Sequence, residues 1–210
     1  MAIYDLEEQE KIDALKGWWK ENGRLVLLTL AACIIAIAAV NAWRWHQRTQ
    51  AEQAAEMFAT ISELSGKENA GKIQETAAQL RDKYASTGYA SRAALKSAEA
   101  SFSIRDLARA RNDLKWVIDK TDEQGLRDIA RLRLAAVALD EKKYDEAMKL
   151  LNTEHENAFD GLYLELKGDV LVAQDKIEEA RTAYSESLKK IQGDYRGIIE
   201  AKRDALGEAE

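Results

Sequence analysis

The chain has 210 residues, with 31 basic and 37 acidic side chains, a net charge of −6, one cysteine and no proline. An acidic chain of this kind lacks the positive surface that a phosphate backbone requires, so the composition argues against a nucleic-acid partner. A single cysteine leaves no disulfide within the chain, and the fold must therefore rest on packing alone.

The first predicted element is a membrane-spanning helix over residues 25–43. Thr29 and Asn41 are the only polar residues in this stretch, which contains no charged residue, glycine or proline. At about 1.5 Å per residue, a helix of this length crosses the ~30 Å hydrocarbon core of a bilayer. Tryptophans stand on both sides, where aromatic rings anchor spanning helices at the headgroup layers. These candidate membrane-interface anchors are Trp18, Trp19, Trp43 and Trp45. We therefore predict a single-pass protein in contact with membrane lipid.

The charges around the span predict its orientation. Segment 1–24 holds four lysine and arginine residues, whereas only Arg44 and Arg48 follow the span closely. Basic residues favour the cytoplasmic side of a membrane. Residues 1–24 are therefore predicted to be cytoplasmic, and residues 44–210 are predicted to form an exported domain.

The N-terminal segment also contains a short amphipathic pattern. Ile12, Leu15 and Trp19 fall on one helical face among charged residues, which predicts a helix lying on the cytoplasmic membrane surface. The dipeptide Asn22-Gly23 is predicted to end this helix before the span begins.

Two processing signals offer alternatives to a retained span. Residues 36–38 (Ala-Ile-Ala) fit a signal-peptidase site, but the apolar stretch runs past them and the preceding segment is long and acidic. Residues 30–33 (Leu-Ala-Ala-Cys) resemble a bacterial lipoprotein box, yet more membrane-type sequence would follow a lipidated cysteine. The simpler interpretation of Cys33 is a small apolar residue in a spanning helix.

The chain behind the span has the composition of an all-α protein. No segment shows the alternation of β-branched and polar residues that marks strands, while alanine, leucine, glutamate, lysine and arginine recur at helical spacing. Neither glycine nor proline occurs between Gly23 and Gly66. The membrane helix is therefore predicted to continue into the first helix of the exported domain, and a flexible joint over residues 47–53 is the alternative.

Four similar segments then follow at nearly constant spacing. Four anchor residues stand near the starts of predicted short helices, and they are 34, 37 and 33 residues apart. They are Ile73, Leu107, Tyr144 and Ile177. These separations bracket the 34-residue period of tetratricopeptide hairpins. Each anchor is preceded by another predicted helix, and the residues at one equivalent position of these helices are mostly small. Small residues there let the two helices of a hairpin approach closely. The residues at this position are Leu64, Ala98, Ala135 and Gly168.

This spacing predicts a degenerate tetratricopeptide-like α-solenoid of about four helical hairpins. Residues 194–207, with Ile198, Ile199 and Leu206 among charged residues, are predicted to form a C-terminal capping helix, because the exposed end of a solenoid needs one. The alternative is an irregular helical bundle.

Sequence patterns for catalysis or metal binding are not found. His46 and His155 have no cysteine or carboxylate at metal-ligand spacing, and the chain contains no glycine-rich phosphate loop or nucleophile elbow. Carboxylates mix with lysine and arginine on helix faces, as they do on solvated surfaces. The sequence therefore predicts a protein that is not an enzyme and that uses no cofactor or metal.

The first helices of stacked hairpins form a concave inner face that commonly binds partners. The tetratricopeptide register places apolar residues with scattered acids on this face, which suits a segment of another protein. The predicted face comprises Leu95, Glu99, Phe102, Leu132, Ala136, Leu139, Glu165, Asp169 and Val172. The alternative is that these side chains pack inside the superhelix or against the first helix.

Two resemblances follow from these motifs. The hairpins resemble the tetratricopeptide consensus most clearly at residues 144–147 (Tyr-Asp-Glu-Ala) and 177–180 (Ile-Glu-Glu-Ala), although they lack its proline and its early tryptophan. The opening, IYDLEEQEKIDALKGWWKENG, and the helix behind it resemble the ancillary subunit family of the bacterial SecYEG translocon, the YfgM family. In layout this second resemblance covers the whole chain.

The resemblance implies a bacterial inner-membrane protein with a cytoplasmic N-terminus and a periplasmic tetratricopeptide-like domain. It implies association with the SecYEG translocon and with a membrane-anchored periplasmic prolyl-isomerase-like chaperone, which together pass emerging polypeptides to periplasmic folding factors. We therefore expect a non-enzymatic adaptor. The alternative is a transmembrane stress-signalling regulator that acts on a cytoplasmic response regulator through the N-terminal segment.

Overall fold

The computed structural model describes the backbone of residues 2–207 and the side chains of residues 8–207, so the predicted chain boundaries at residues 1 and 210 lie outside the described residues. No strand occurs within this range, and the predicted all-α class is confirmed. The helices are α1 (Ala2–Ser62), α2 (Ala70–Lys83), α3 (Gly88–Ser103), α4 (Leu107–Lys120), α5 (Gln124–Asp140), α6 (Tyr144–Leu151), α7 (Asp160–Ala173), α8 (Ile177–Lys190) and α9 (Tyr195–Asp204). The chain divides into two compact units, residues 1–50 and residues 51–210.

The first unit contains the predicted span. Within the described residues, α1 is the one helix that is long and apolar enough to cross a membrane, and the side chains of its most apolar stretch are exposed. The four predicted tryptophan anchors are exposed as well. Large apolar side chains exposed along a whole helix require a nonpolar environment, which a bilayer provides.

The predicted end of a helix at Asn22-Gly23 is wrong, because α1 continues through both residues. The Asn22 side-chain amide donates to the carbonyl of Trp18, 3.1 Å away, and so stays within the helix. A glycine ends a helix only when it adopts a left-handed conformation, and inside a helix it costs about 1 kcal/mol relative to alanine. Here the Trp19 indole lies over Gly23, where an added Cβ would come within 3.1 Å of the ring.

The second unit is a stack of helical hairpins with a continuous core. Two buried apolar clusters each join the two helices of a hairpin to the first helix of the next one, and another joins α7 and α8 to the capping helix α9. The first cluster joins Ala54 and Ile61 of α1 to α2 and α3. This sharing of a core between neighbours is the arrangement of a solenoid. The predicted tetratricopeptide-like stack with its capping helix, α9, is therefore confirmed.

The turns inside the last three hairpins have the same backbone geometry. Arg105, Lys142 and Asp175 occupy the left-handed region with φ of 65°, 60° and 62°. After each of them, the next backbone N–H donates to a carbonyl five residues earlier, at 2.9, 2.8 and 2.9 Å. This pattern is the Schellman motif that closes helices. The first hairpin differs, because Leu64 lies beyond the end of α1 rather than inside its helix as the register predicts.

Replacing Lys142 with glycine is expected to raise the free energy of unfolding by about 1 kcal/mol. A side chain at positive φ is strained, and glycine removes that strain. Urea unfolding of the full chain in nanodiscs, followed by circular dichroism, measures the change. The control is Lys149→Gly at an exposed position inside α6, where glycine should lower the free energy of unfolding by about 1 kcal/mol. Stabilisation of equal size by both variants would contradict this account.

Candidate functional site

An apolar groove lies between α3 and α5, the first helices of the second and third hairpins. Its volume is about 260 Å³. Its lining residues are Ala98, Glu99, Phe102, Leu114, Arg133, Ala136 and Val137. We refer to this feature as the α3–α5 groove.

The floor of the α3–α5 groove belongs to the hydrophobic core. Ala98, Leu114 and Val137 are buried and pack in one cluster that joins α3, α4 and α5. The small side chain of Ala98 leaves the space that the groove occupies. Phe102 forms a wall and is 37% exposed. An incomplete cover over an apolar floor is a typical feature of binding surfaces.

Two opposite charges stand at the rim of the groove. Arg133 Nη1 lies 3.8 Å from Glu99 Oε2, and the same nitrogen donates to the Leu95 carbonyl at 3.3 Å. Both side chains are largely solvated, with exposures of 44% for Arg133 and 71% for Glu99. Exposed ion pairs stabilise proteins by about 0–1 kcal/mol. The pair can therefore be exchanged for charges of a partner at little cost.

Of the predicted concave-face residues, the structure brings Glu99, Phe102 and Ala136 together in the α3–α5 groove. Leu95 is buried in the core beneath it. Leu132 and Leu139 are half-buried and pack against the cluster between α5 and α7, and Val172 is exposed. For the leucines, the alternative of inward packing therefore describes the structure better than an open face.

The two remaining predicted residues, Glu165 and Asp169, do not line an open groove. Lys202 of the capping helix forms ion pairs with both carboxylates, and it lies 2.7 Å from Asp169 Oδ2. The Tyr184 hydroxyl donates to the other Asp169 oxygen, Oδ1, at 2.7 Å. Burial alone would lower the pKa of Lys202, but its hydrogen bonds to Asp169 and Glu165 outweigh burial and raise that pKa. These carboxylates therefore fasten α9 to α7.

Replacing Lys202 with methionine is expected to lower the free energy of unfolding by about 1–2 kcal/mol, because Glu165 would keep a charge in a site where its side chain is 9% exposed. Because its pKa is raised, Lys202 stays charged at neutral pH, and the stabilisation by its ion pairs is fully present there. That stabilisation is lost as the pH rises through the raised pKa. Urea unfolding at neutral pH measures the change. Lys189→Met is the control, because its ion pair with Glu186 is well exposed, and an equal loss in both variants would contradict the prediction.

The tetratricopeptide register did not place Arg133 on the predicted concave face, although Arg133 is a charged residue of the groove. It precedes Ala136 by three residues and Val137 by four, so it shares their helical face. Helical spacing alone could therefore have found it. Leu114 lies seven residues after the anchor Leu107 and belongs to the repeat register, whereas the place of Val137 in the groove floor depends on the packing of α4 and α5.

His155 lies in the loop between α6 and α7, and its ring makes structural contacts. It stacks on Tyr163 with ring centroids 3.8 Å apart, and its Nδ1 lies 2.8 Å from the Thr153 carbonyl. Its Nε2 lies 3.4 Å from Asp160 Oδ1. Among residues 8–207, no group of three or more histidine, cysteine or carboxylate side chains is arranged to hold a metal ion. These contacts connect the loop to α7.

Comparison with known proteins places the chain in a family. The family model for a tetratricopeptide repeat-like domain matches residues 16–208. A protein of Neisseria gonorrhoeae named "Ancillary SecYEG translocon subunit" is 31% identical over 96% of this chain and 98% of its own length. Proteins with the same name are 30% identical in Haemophilus influenzae, over 88% of this chain and 90% of that protein, and 24% identical in Escherichia coli, over 90% of each.

The match therefore extends over the membrane helix, the hairpins and the capping helix together, and this chain belongs to the tetratricopeptide repeat-like family of ancillary SecYEG translocon subunits.

Proposed function

We propose that this protein is a membrane-anchored, non-enzymatic adaptor of the SecYEG translocon in the bacterial inner membrane. The observation that carries the proposal is an open apolar groove on a helical-repeat domain whose chain also holds a spanning helix. The name of the relatives supports the translocon as the neighbour. Repeat domains of this kind use such surfaces to bind other proteins.

In this proposal the repeat domain is periplasmic and the N-terminal segment is cytoplasmic. The bias of basic residues toward segment 1–24 supports this orientation. The domain would then stand where translocated polypeptides emerge and where periplasmic chaperones act, including a membrane-anchored prolyl-isomerase-like chaperone. A reporter that is active only outside the cytoplasm should work when fused after Glu210, and activity of a cytoplasm-only reporter at that position would reverse the orientation.

Filling the α3–α5 groove is expected to weaken partner binding without unfolding the domain. Ala136 is half-buried at the groove, so Ala136→Leu places an isobutyl group in the space that an incoming side chain would use. We expect the recovery of SecYEG or chaperone with the tagged full chain from native membranes to fall about tenfold.

The matched control for this experiment is Ala108→Leu on the exposed face of α4, which should leave recovery unchanged. Circular dichroism of both variants establishes that the helices are retained. Unchanged recovery with Ala136→Leu, or an equal loss with both variants, would contradict a role for the groove.

A second candidate function, stress signalling through the N-terminal segment, is favoured by one observation. Ile12, Leu15 and Trp19 form an exposed apolar stripe on α1 before the span. Such a stripe on a helix can enter the groove of a cytoplasmic partner such as a response regulator. Deleting residues 1–22 should abolish cytoplasmic output if this function holds, whereas an adaptor would keep its periplasmic contacts.

A further inference from the structure

One polar side chain of the membrane span lacks a hydrogen-bond partner. Along α1, the side chains of Asn22, Thr29 and Thr49 each donate to the backbone carbonyl four residues earlier, at 3.1, 2.8 and 3.1 Å. The carboxamide of Asn41 makes no such bond and contacts no other polar group among residues 8–207. Its oxygen accepts and its nitrogen donates, so both functions of the side chain are unused.

The depth of Asn41 makes an unpaired carboxamide unfavourable. At about 1.5 Å per residue, Asn41 lies ~10 Å from the midpoint of span 25–43, within the ~15 Å half-thickness of the hydrocarbon core. Side chains of a helix tilt toward its N-terminus, and for Asn41 this direction leads to the bilayer centre rather than to the headgroups. Because hydrocarbon offers no water, the carboxamide requires a partner from protein.

Asn41 ends a row of large apolar side chains on one face of α1. Their positions alternate between three and four residues apart, and each side chain is more than half exposed. The members of this apolar row are Leu27, Leu30, Ile34 and Ile37. Two helices that carry such a heptad spacing pack together along a left-handed seam. In this heptad, Asn41 occupies the same position as Leu27 and Ile34.

Charged residues bound the apolar row at both ends. Lys20 precedes Leu27 by one heptad, and Arg44 follows Asn41 by three residues in the same register. In a pair of identical helices these like charges would face each other, but only outside the hydrocarbon core, where water and salt screen them. The heptad contact is therefore confined to the membrane span.

A second copy of α1 supplies the partner that Asn41 lacks. Since a carboxamide both donates and accepts, two of them can bond reciprocally. Two copies inserted in the same direction have their Asn41 side chains at the same depth by symmetry, whereas another protein would need a polar side chain at that depth. A single asparagine at this heptad position specifies the register and the number of helices in a parallel coiled coil.

We propose that α1 forms a parallel homodimer within the membrane, in which the apolar row packs against its counterpart and the two Asn41 carboxamides hydrogen-bond to each other. Each membrane-anchored unit would then carry two repeat domains. This inference goes beyond the adaptor function and does not involve the α3–α5 groove.

Association of the full chain in liposomes of phosphatidylethanolamine and phosphatidylglycerol provides the first test. In a Cys33→Ala background, Ala108→Cys on the exposed face of α4 carries a donor or an acceptor dye. Energy transfer between the dyes, measured over a series of protein-to-lipid ratios, gives the association constant. We expect Asn41→Leu to weaken association about tenfold, and Asn41→Gln, which keeps a carboxamide, to retain it.

The matched control is Thr29→Leu, which also removes a polar side chain from the span. The Thr29 hydroxyl already donates to the Leu25 carbonyl, so its loss should leave the association constant unchanged. Circular dichroism of each variant in the same liposomes establishes that the helices are retained.

Disulfide formation tests which face of α1 is in contact. In the same Cys33→Ala background, Ile34→Cys in the apolar row should give a covalent dimer on oxidation. Ala32→Cys lies at nearly the same depth, but at about 100° per residue it faces the opposite side of the helix and should give little dimer.

Protein that stays monomeric at every protein-to-lipid ratio would overturn the proposal and would leave Asn41 to a helix of another membrane protein. Association that Asn41→Leu does not change, or equal disulfide formation from both faces, would overturn it as well. None of these outcomes bears on the adaptor function, because the liposomes contain no translocon and no chaperone.

Discussion

Replacement of Asp113 with alanine is expected to lower the free energy of unfolding of the repeat domain by about 3 kcal/mol. Asp113 is 1% exposed, and it joins α4 to two other helices. Arg81 of α2 donates to its Oδ1 at 2.5 Å, and Ser97 of α3 donates to its Oδ2 at 2.5 Å. Removing the carboxylate would leave the buried hydroxyl of Ser97 without its hydrogen-bond acceptor and the partly buried guanidinium of Arg81 without its partner.

Urea unfolding of the full chain in nanodiscs measures this loss. Asp119→Ala is the matched control on the same helix, because Asp119 is exposed and its replacement should change the stability by less than about 0.5 kcal/mol. A loss of similar size in both variants, or no loss with Asp113→Ala, would show that the buried ion pair does not hold these hairpins together.

Replacement of Gly168 with alanine is expected to lower the free energy of unfolding by about 2 kcal/mol, even though alanine is the better helix former. A Cβ at this position would lie 2.4 Å from Cε1 of the Tyr184 ring. Tyr184 is itself fixed, because it is buried and its hydroxyl donates to Asp169. Helix α8 would therefore have to move away from α7.

The control for Gly168 is Gly71→Ala in helix α2, where an added Cβ would meet no atom within 4 Å. That variant should gain up to about 1 kcal/mol from helix propensity. Thermal unfolding monitored by circular dichroism ranks the two variants against the unmodified chain. A stabilised Gly168→Ala protein would contradict the close approach of α7 and α8.

The repeat architecture could be predicted because two sets of residues recur at the same spacing in the sequence: the anchors near the starts of the second helices and the small residues of the first helices. Leu107, Tyr144 and Ile177 begin α4, α6 and α8, and small residues recur where paired helices approach. The helix end at Asn22-Gly23 was predicted wrongly, since local signals for helix ends compete with strong helix formers on both sides. In α1 the helix formers on both sides keep the chain helical through both residues, and the Trp19 ring covers Gly23.

The candidate site was predictable only where it depends on local register. Glu99, Phe102 and Ala136 meet in the α3–α5 groove because their positions follow from the hairpin repeat. Whether Glu165 and Asp169 face an open groove depends on Lys202, which lies more than 30 residues further along the chain. Nothing in the spacing of α7 indicates that contact, so the register placed two structural carboxylates on a binding face.

The ion pairs around Lys202 also define how far the open surface extends. Helix α9 covers the carboxylates of α7, whereas the corresponding position of α3, Glu99, stays exposed beside the groove. The capping helix therefore covers the carboxylates of the last hairpin, while the α3–α5 groove stays open. This asymmetry is why we place the partner contact at the second and third hairpins.

Photo-crosslinking in native membranes tests the central claim most directly. With a photoreactive phenylalanine analogue at position 102, we expect a light-dependent product that contains a translocon subunit or a periplasmic chaperone, identified by mass spectrometry. The same analogue at position 115, on the opposite exposed face of α4, should give no such product. Absence of a product at position 102 in intact, membrane-inserted protein, or equal products at both positions, would contradict the proposal that the α3–α5 groove is the adaptor surface.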